Sequence, residues 1–433
     1  MEPGPGVESR VETASPEVDA VGTQRRIVGV LSGGVALGGL GVTVGITVGG
    51  LLARDVAGSD TASGLGQTAG VLGAAVIAVP LARISDRSGR RAGLATGYAV
   101  AVLGAVVTVV AAALSSLPLL LVGLFGFGAA TACSLQARYA AADLAAPERR
   151  GRDLSLVVWA TTVGSVLGPN LAGPGAALGR RLGLPDRGGA FALSAAALAL
   201  VAVVFLVLLR PDPLLLARRL GGSGAATRPR GATGIAVRAV WASPTGRLGL
   251  TAVIVSHAVM VGVMVMTPVH MGHAGGPEGT TLRLIGLVIS VHVAGMYLFS
   301  PLVGLLADRA GRTATVALGG LLLLAATALA GTAPPGAALQ LGSGLFLLGL
   351  GWSCGLIAGS TLVTESVAVE MRPTAQGGTD LLMGLGAALA GVVGGPLLAV
   401  GGFGLVTAVS AALVVPLAVV WTHGVRRSRP AAG

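Results

Sequence analysis

Apolar runs of roughly 20 residues, each long enough to cross about 30 Å of hydrocarbon as a helix, recur along the chain with short polar breaks between them. Twelve such runs are expected, over 27–53, 66–84, 92–115, 117–141, 153–178, 189–209, 247–272, 282–307, 313–333, 336–363, 374–399 and 402–422. Strands of a membrane barrel would alternate apolar and polar residues, whereas Leu198–Leu209 and Leu318–Leu324 are apolar at almost every position, as lipid-facing helices are. The expected fold is all-α, a polytopic membrane protein with 12 transmembrane helices. Hydrophobic residues make up 53% of the chain and charged ones 11%, a balance that leaves too little polar surface to cover a soluble core. The 71 glycines suit helices packed backbone to backbone in lipid.

The net charge of +11 comes from 29 basic residues, all of them Arg, and their placement argues against nucleic acid as a partner. With a cytoplasmic N-terminus, 24 Arg fall on the cytoplasmic side and five (Arg54, Arg180, Arg181, Arg187 and Arg283) outside, as the positive-inside rule demands. The chain is therefore expected in the plasma (inner) membrane, multi-pass, with both termini cytoplasmic. Residues 1–26 read as a polar tail holding Glu2, Glu8, Glu12, Glu17 and Asp19, and not as a signal peptide. Residues 27–209 form a first six-helix bundle, 210–246 a basic linker, 247–422 a second bundle and 423–433 a basic tail. The stretch Val237–Trp241 in the linker either lies on the anionic inner leaflet or belongs to a solvated segment. Cys133 and Cys354 sit within spans without metal-type spacing and read as small packing residues.

The two bundles repeat one another. Asp86-Arg87-Ser88-Gly89-Arg90 follows the second span and Asp308-Arg309-Ala310-Gly311-Arg312 the eighth, 222 residues later, and an acid lies 57 positions beyond each Asp, at Asp143 and Glu365. Duplicated six-helix units bind substrate between the repeats, near the bilayer midplane.

Gly304-Leu305-Leu306-Ala307-Asp308-Arg309-Ala310-Gly311-Arg312 resembles the signature loop of the major facilitator superfamily, and the first copy differs in having Ala82 where the family prefers Gly. In the fifth span, Gly164-Ser165-Val166-Leu167-Gly168-Pro169-Asn170-Leu171-Ala172-Gly173 resembles the G-x-x-x-G-P-x-x-G-G motif of that superfamily's drug/proton antiporters, with Ala172 for one Gly. The resemblance implies that Asp86 sits against the N-terminus of helix 11 and that Arg90 pairs with Asp143. It implies the same work for Asp308, Arg312 and Glu365 in the second half, so that these residues, with Arg87, Gly89, Arg309 and Gly311, latch the cytoplasmic side. Read without the resemblance, the Arg residues are topology determinants only. Gly164, Gly168, Pro169 and Gly173 would let helix 5 bend and approach a neighbour, which is helix 8 in such exporters; a generic kinked helix is the alternative. The sequence departs from the antiporters at Val122 and Gly123, where they commonly carry Arg, and has no acid between Ile27 and Ala53.

Polar residues inside spans should face a cavity. The candidates lining it are Gln136, Arg138, Trp159, Asn170, His257, Met260, Met264, His292, Tyr297 and Trp352. His257, Met260 and Met264 share one helix face, and thioethers suit either a pocket for apolar shapes or simple packing. His257 and His292 are each a proton site or an interhelical contact. Asp380, the only carboxylate well inside a span, is a proton carrier or a structural partner for Arg, and Arg138 is its counterpart or an anion ligand.

These features predict a secondary active transporter working by alternating access as a monomer in the bilayer, exporting drugs or other amphiphilic small molecules against H+. An uptake symporter for a small organic anion or sugar is the alternative. A membrane-embedded enzyme is disfavoured: Gly351-Trp352-Ser353-Cys354-Gly355 fits G-x-S-x-G, but that motif works on a strand-to-helix turn and this copy falls within a helix. No cofactor and no metal site is expected. His270 and His273 read as a solvated helix end, and a chain without Lys cannot complete a P-loop.

Overall fold

The computed structural model describes residues 20–57, 60–167, 172–184, 188–220, 232–274 and 278–428, and their regular structure is helical. The first half holds α1 (Ala20–Ala57), α2 (Asp60–Ser88), α3 (Arg90–Ala113), α4 (Leu117–Phe127), α5 (Ala129–Ala142), α6 (Arg150–Leu167), α7 (Ala172–Arg181) and α8 (Gly188–Leu208). Two linker helices follow, α9 (Pro213–Leu220) and α10 (Ala232–Ala242). The second half holds α11 (Pro244–Gly272), α12 (Glu278–Val293), α13 (Ser300–Arg309), α14 (Arg312–Gly331), α15 (Ala338–Glu365), α16 (Arg372–Ala412) and α17 (Val414–Ser428).

Ten helical stretches among the described residues are long and apolar enough to cross a membrane. One of them, Val369–His423, is 55 residues long and bends at Gly401 and Gly402, the latter at φ 68°, a backbone region that L side chains rarely adopt. It therefore supplies the eleventh and twelfth spans together. The fifth span is divided between α6 and α7, on either side of residues 168–171, which are outside the described set. The architecture is thus all-α, with 12 spans in two pseudo-symmetric six-helix bundles.

Among the described residues, spans four and eight are also interrupted, and close backbone contact accompanies both breaks. The fourth divides at Gly128, where a Cβ would press into the backbone of Gly70 and Ala74, so α4 and α5 lie directly against α2. The eighth passes through a π-helical turn at Ala294–Leu298, followed by Pro301 in the first turn of α13. Here Gly295 faces the Phe346 carbonyl and Gly349 faces that of His292, which seats the turn against α15.

Buried apolar residues gather in two large clusters, one from Ile27 to Leu209 and one from Leu248 to Leu417 that also takes in Leu154 and Val158 of α6. Helix α15 is buried without a break from Gly351 to Thr364, whereas α8 and α14 turn Leu200, Val203, Leu206 and Leu321 outward. The ends differ from expectation. Residues 20–26 of the predicted tail already belong to α1, and 1–19 lie outside the described set. The linker carries a helix packed on the second half: Ala236 and Val240 of α10 are buried against Leu250, Val363 and Ala375, while Ile235 and Trp241 are exposed.

Candidate functional site

The face bearing the two duplicated loops, here the loop face, is where polar groups join the halves. Gly89 and Gly311 precede α3 and α14 at φ 90° and 94° with ψ 167° and 148°, a conformation essentially reserved for glycine, which explains why both copies of D-R-x-G-R carry one. The turn delivers the following Arg inward. Arg90 donates to both carboxylate oxygens of Asp143 at 2.7 and 3.2 Å and to Gln376 Oε1 of the other half at 2.5 Å, with Arg90 1% exposed. Arg312 reaches Glu365 at 3.4 Å and Asp308 at 3.2 Å, and also donates to the Pro147 carbonyl. Arg87 and Arg309 point outward.

Each acid is also held from the opposite half. Arg372 approaches the Asp143 carbonyl at 3.5 Å and Arg150 approaches Glu365 at 3.5 Å. These two Arg are 222 residues apart, so the arrangement is itself duplicated. Neither was singled out from the sequence, although applying the loop repeat to Arg150 leads directly to Arg372.

The two acids that open the loops behave differently. Asp308 accepts from the backbone N–H of Gly151 and Arg152 at 3.0 and 2.8 Å, at the start of α6, where unpaired amides and the helix dipole favour a carboxylate. Asp86 accepts from Arg218 of α9 at 2.5 Å, and Arg218 also donates to the Glu370 carbonyl just before α16. A linker arginine thus bridges Asp86 to the segment that leads into helix 11. Asp212 caps the start of α9 through the N–H of Leu214 and Leu215 and binds the Arg91 N–H at 2.8 Å.

Ala82 departs from the family pattern with a local compensation. Gly304, its equivalent, packs on Ser155 and Gly151, and a Cβ there would collide with the Ser155 side chain. Across the other interface Ala82 meets Gly377, where a Cβ would collide with that of Ala82. Residues 155 and 377 are also 222 apart, so the small residue has changed sides.

Deeper between the halves lies a cavity of about 260 Å³. Its floor toward the loop face is Asp380 of α16, 3% exposed, whose Oδ1 accepts from Arg138 at 2.7 Å and Tyr139 at 3.4 Å while Oδ2 is buried without a partner. Arg138 also donates to Ser360 at 3.2 Å, a residue 222 positions away, and to the Leu135 carbonyl at 2.6 Å. His257, Met260, Tyr297 and Trp352 line the wall from the second half. Trp352 Nε1 donates to His257 Nδ1 at 2.8 Å, which places the proton of the neutral imidazole on Nε2. The π turn carries Met296 and Tyr297 to the same wall, a use of irregular helix common at functional sites. Sequence reasoning missed Phe127, Met296 and Met383, which look like ordinary core residues.

Other expected cavity residues are elsewhere. His292 is sealed between α12 and α15, donating from Nδ1 to the Leu345 carbonyl at 2.8 Å. Trp159 is 39% exposed and does not line this cavity, Met264 packs among second-half apolar residues, and Gln136 donates to the Ala78 carbonyl at 2.7 Å, bracing α5 on α2. Of the fifth-span motif, Gly168, Pro169 and Asn170 lie outside the described residues, and Gly173 is in α7. Gly164 meets α1, not helix 8: a Cβ there would come within 2.5 Å of Gly39 Cα. Contact with helix 8 is made at the other end of α6, by Gly151 and Ser155.

The family model described as Major Facilitator Superfamily matches residues 30–282 and 278–433. The MFS-type transporter YdeG of Bacillus subtilis (strain 168) is 38% identical over 404 residues, 92% of each chain. The riboflavin transporter RfnT of Brucella anthropi is 30% identical over 414 residues, 92% of this chain and 96% of its own. Among solved structures, the human organic anion transporter MFSD10 (TETRAN) superposes with a TM-score of 0.71 at 17% identity over 92% of this chain and 99% of that one, a likeness of fold. Sequence and fold agree over most of the chain, and the duplicated loops sit where that fold needs them: the chain belongs to the major facilitator superfamily and is a membrane transporter, not an enzyme.

Proposed function

We propose that the transporter exports small amphiphilic molecules in exchange for protons, with the loop face cytoplasmic and the central cavity as the substrate site. The observation that carries this reading is the buried Arg138–Asp380 pair, which ties α5 of one half to α16 of the other at the cavity floor. A proton arriving at Asp380 from the far side neutralises the carboxylate, weakens its hold on Arg138 and lets the halves part at the loop face. Loss of that proton to the cytoplasm restores the pair and closes the face. An inward proton releases about 2.3 kcal/mol per 100 mV of membrane potential, enough to drive a small molecule outward. His257 on the cavity wall is a second proton site; His292, sealed from the cavity, is not used.

The test is reconstitution in liposomes holding a pH-sensitive dye, with an imposed proton gradient and a panel of lipophilic cations and neutral drugs. Substrate-dependent proton movement lost in Asp380→Asn is the expected result. Transport without proton movement sinks the coupling. A second reading, uptake of a small organic anion, would use the Arg138 guanidinium once a proton on Asp380 releases it, and sits alongside a relative named for riboflavin transport. Inward flux of labelled substrate with the proton would establish it over export.

A further inference from the structure

The two walls of the cavity are unlike. The first half contributes small groups, among them Gly66, Gly70, Ala74 and Ala78, together with the side chains of Leu124, Phe127, Thr131 and Leu135, so this wall is mostly apolar and low in relief. Several glycines of this wall are required by helix packing: a Cβ on Gly128 would strike the backbone of α2, and one on Gly66 would crowd Ala53 at 3.1 Å. Gly70 is different, because the nearest atom to a Cβ there is the Leu124 carbonyl oxygen at 3.9 Å. Packing does not forbid a side chain at Gly70; its absence keeps the cavity open on that side.

The second half contributes Trp352, with Tyr297 edge-on to it at 5.6 Å and 82°, and the thioethers of Met260, Met296 and Met383. The hydrogen bond from Trp352 to His257 fixes the indole, so this wall presents a held aromatic surface with polarizable groups around it. A flat ring system fits between a wall of small residues that also carries Phe127 and a wall built on Trp352, since both of its faces make contact, whereas a rounded aliphatic molecule of equal volume touches each wall at fewer points.

The floor sets the charge. Arg138 and Asp380 neutralise one another, so the site offers no net charge to a ligand. A cation drawn to Asp380 would lie beside the Arg138 guanidinium, and an anion drawn to Arg138 would face the carboxylate. What remains unsatisfied at the floor is Asp380 Oδ2, a buried acceptor without a partner, which an N–H or O–H from an uncharged molecule seated in the cavity would satisfy after a small shift of the carboxylate. The volume of about 260 Å³ is below the range of about 300–1,000 Å³ usual for drug-sized ligands, so the occupant is compact.

We infer that the cavity takes a compact, uncharged, planar aromatic molecule that lies between the first-half wall and Trp352 and donates a hydrogen bond from one edge to Asp380. This rests on the cavity being the substrate site and does not depend on the coupling ion or direction. The test is equilibrium binding by titration calorimetry to the purified full-length protein in detergent, with three probes: acridone (planar, neutral, with an N–H), proflavine (planar, cationic) and adamantanol (neutral, with an O–H, but a cage). Acridone should bind at least about tenfold more tightly than either of the others. Gly70→Leu, which fills the open side of the cavity, should weaken acridone by about tenfold or more while leaving the thermal unfolding temperature near that of the parent. Gly70→Ala serves as the milder variant if the leucine disturbs folding and should give a smaller loss of the same sign.

Proflavine binding as tightly as acridone overturns the charge assignment, and adamantanol doing so overturns the planar one. Acridone that fails to bind, or binds Gly70→Leu and Gly70→Ala as well as the parent, overturns the inference as a whole. No proton gradient is present in this assay, so its failure leaves the antiport reading to the liposome experiment, and the reverse is also true.

Discussion

Arg138 and Asp380 meet away from water, with 1% and 2% of their side chains exposed, so each needs the other more than the fold needs the pair. Replacing either alone leaves a buried charge without its partner, at a cost of about 3–5 kcal/mol, whereas replacing both with apolar groups of similar size removes the charges together. Arg138→Leu and Asp380→Leu should therefore each lower the unfolding temperature in detergent, and the double variant should recover most of the loss while remaining without proton-linked transport. A double variant no more stable than the singles would mean that the pair is not the dominant partner of either residue. Both residues were legible in the sequence, because a lone carboxylate and a lone guanidinium within apolar runs have few ways to be tolerated. Residue type does not tell which side of a helix faces the cavity, so His292 and Trp159 were expected there and do not line it: one is sealed against a neighbouring backbone, the other is exposed outside the cavity lining.

At the level of elements, the contacts between α2 and α16 and between α6 and α13 are two versions of one interface with the small residue exchanged between sides. Gly377→Ser should force α2 and α16 apart, because Ala82 occupies the space, and transport should fall sharply. Adding Ala82→Gly reproduces the arrangement of Gly304 against Ser155 and should restore transport to near the parent rate in the liposome assay. No recovery would show that the two interfaces are not interchangeable. The number and order of spans could be read from hydropathy alone, and the glycine of each duplicated loop from its motif. The breaks within spans four and eight could not, because they arise where another helix presses its backbone against a glycine, and that neighbour lies far away in sequence. The packing of the linker was hidden for the same reason: that one face of α10 lies against protein depends on the surfaces of Leu250 and Val363.

For the whole molecule, the two Arg–acid–Arg sets join the halves at the loop face, and neutralising both acids should let that face open. Spin labels at the exposed positions Arg87 and Arg309 should report a longer mean distance in the Asp143→Asn, Glu365→Gln double variant than in the parent, by pulsed electron resonance. An unchanged distance would remove these sets as the closing contacts. The repeat that revealed the two halves in sequence also holds in space, and one contact states it most simply: Arg138 is hydrogen-bonded to Ser360, its own counterpart across the duplication. Two equivalent positions can touch only on the axis that relates the halves. In a single-bundle ancestor pairing with a copy of itself, this site would have faced its own image, and an arginine there would have met an arginine. Fusing two copies into one chain removed that restriction and let a guanidinium occupy one side of the axis with a hydroxyl on the other. The charge asymmetry across this axis is thus a property that an identical pair could not have possessed.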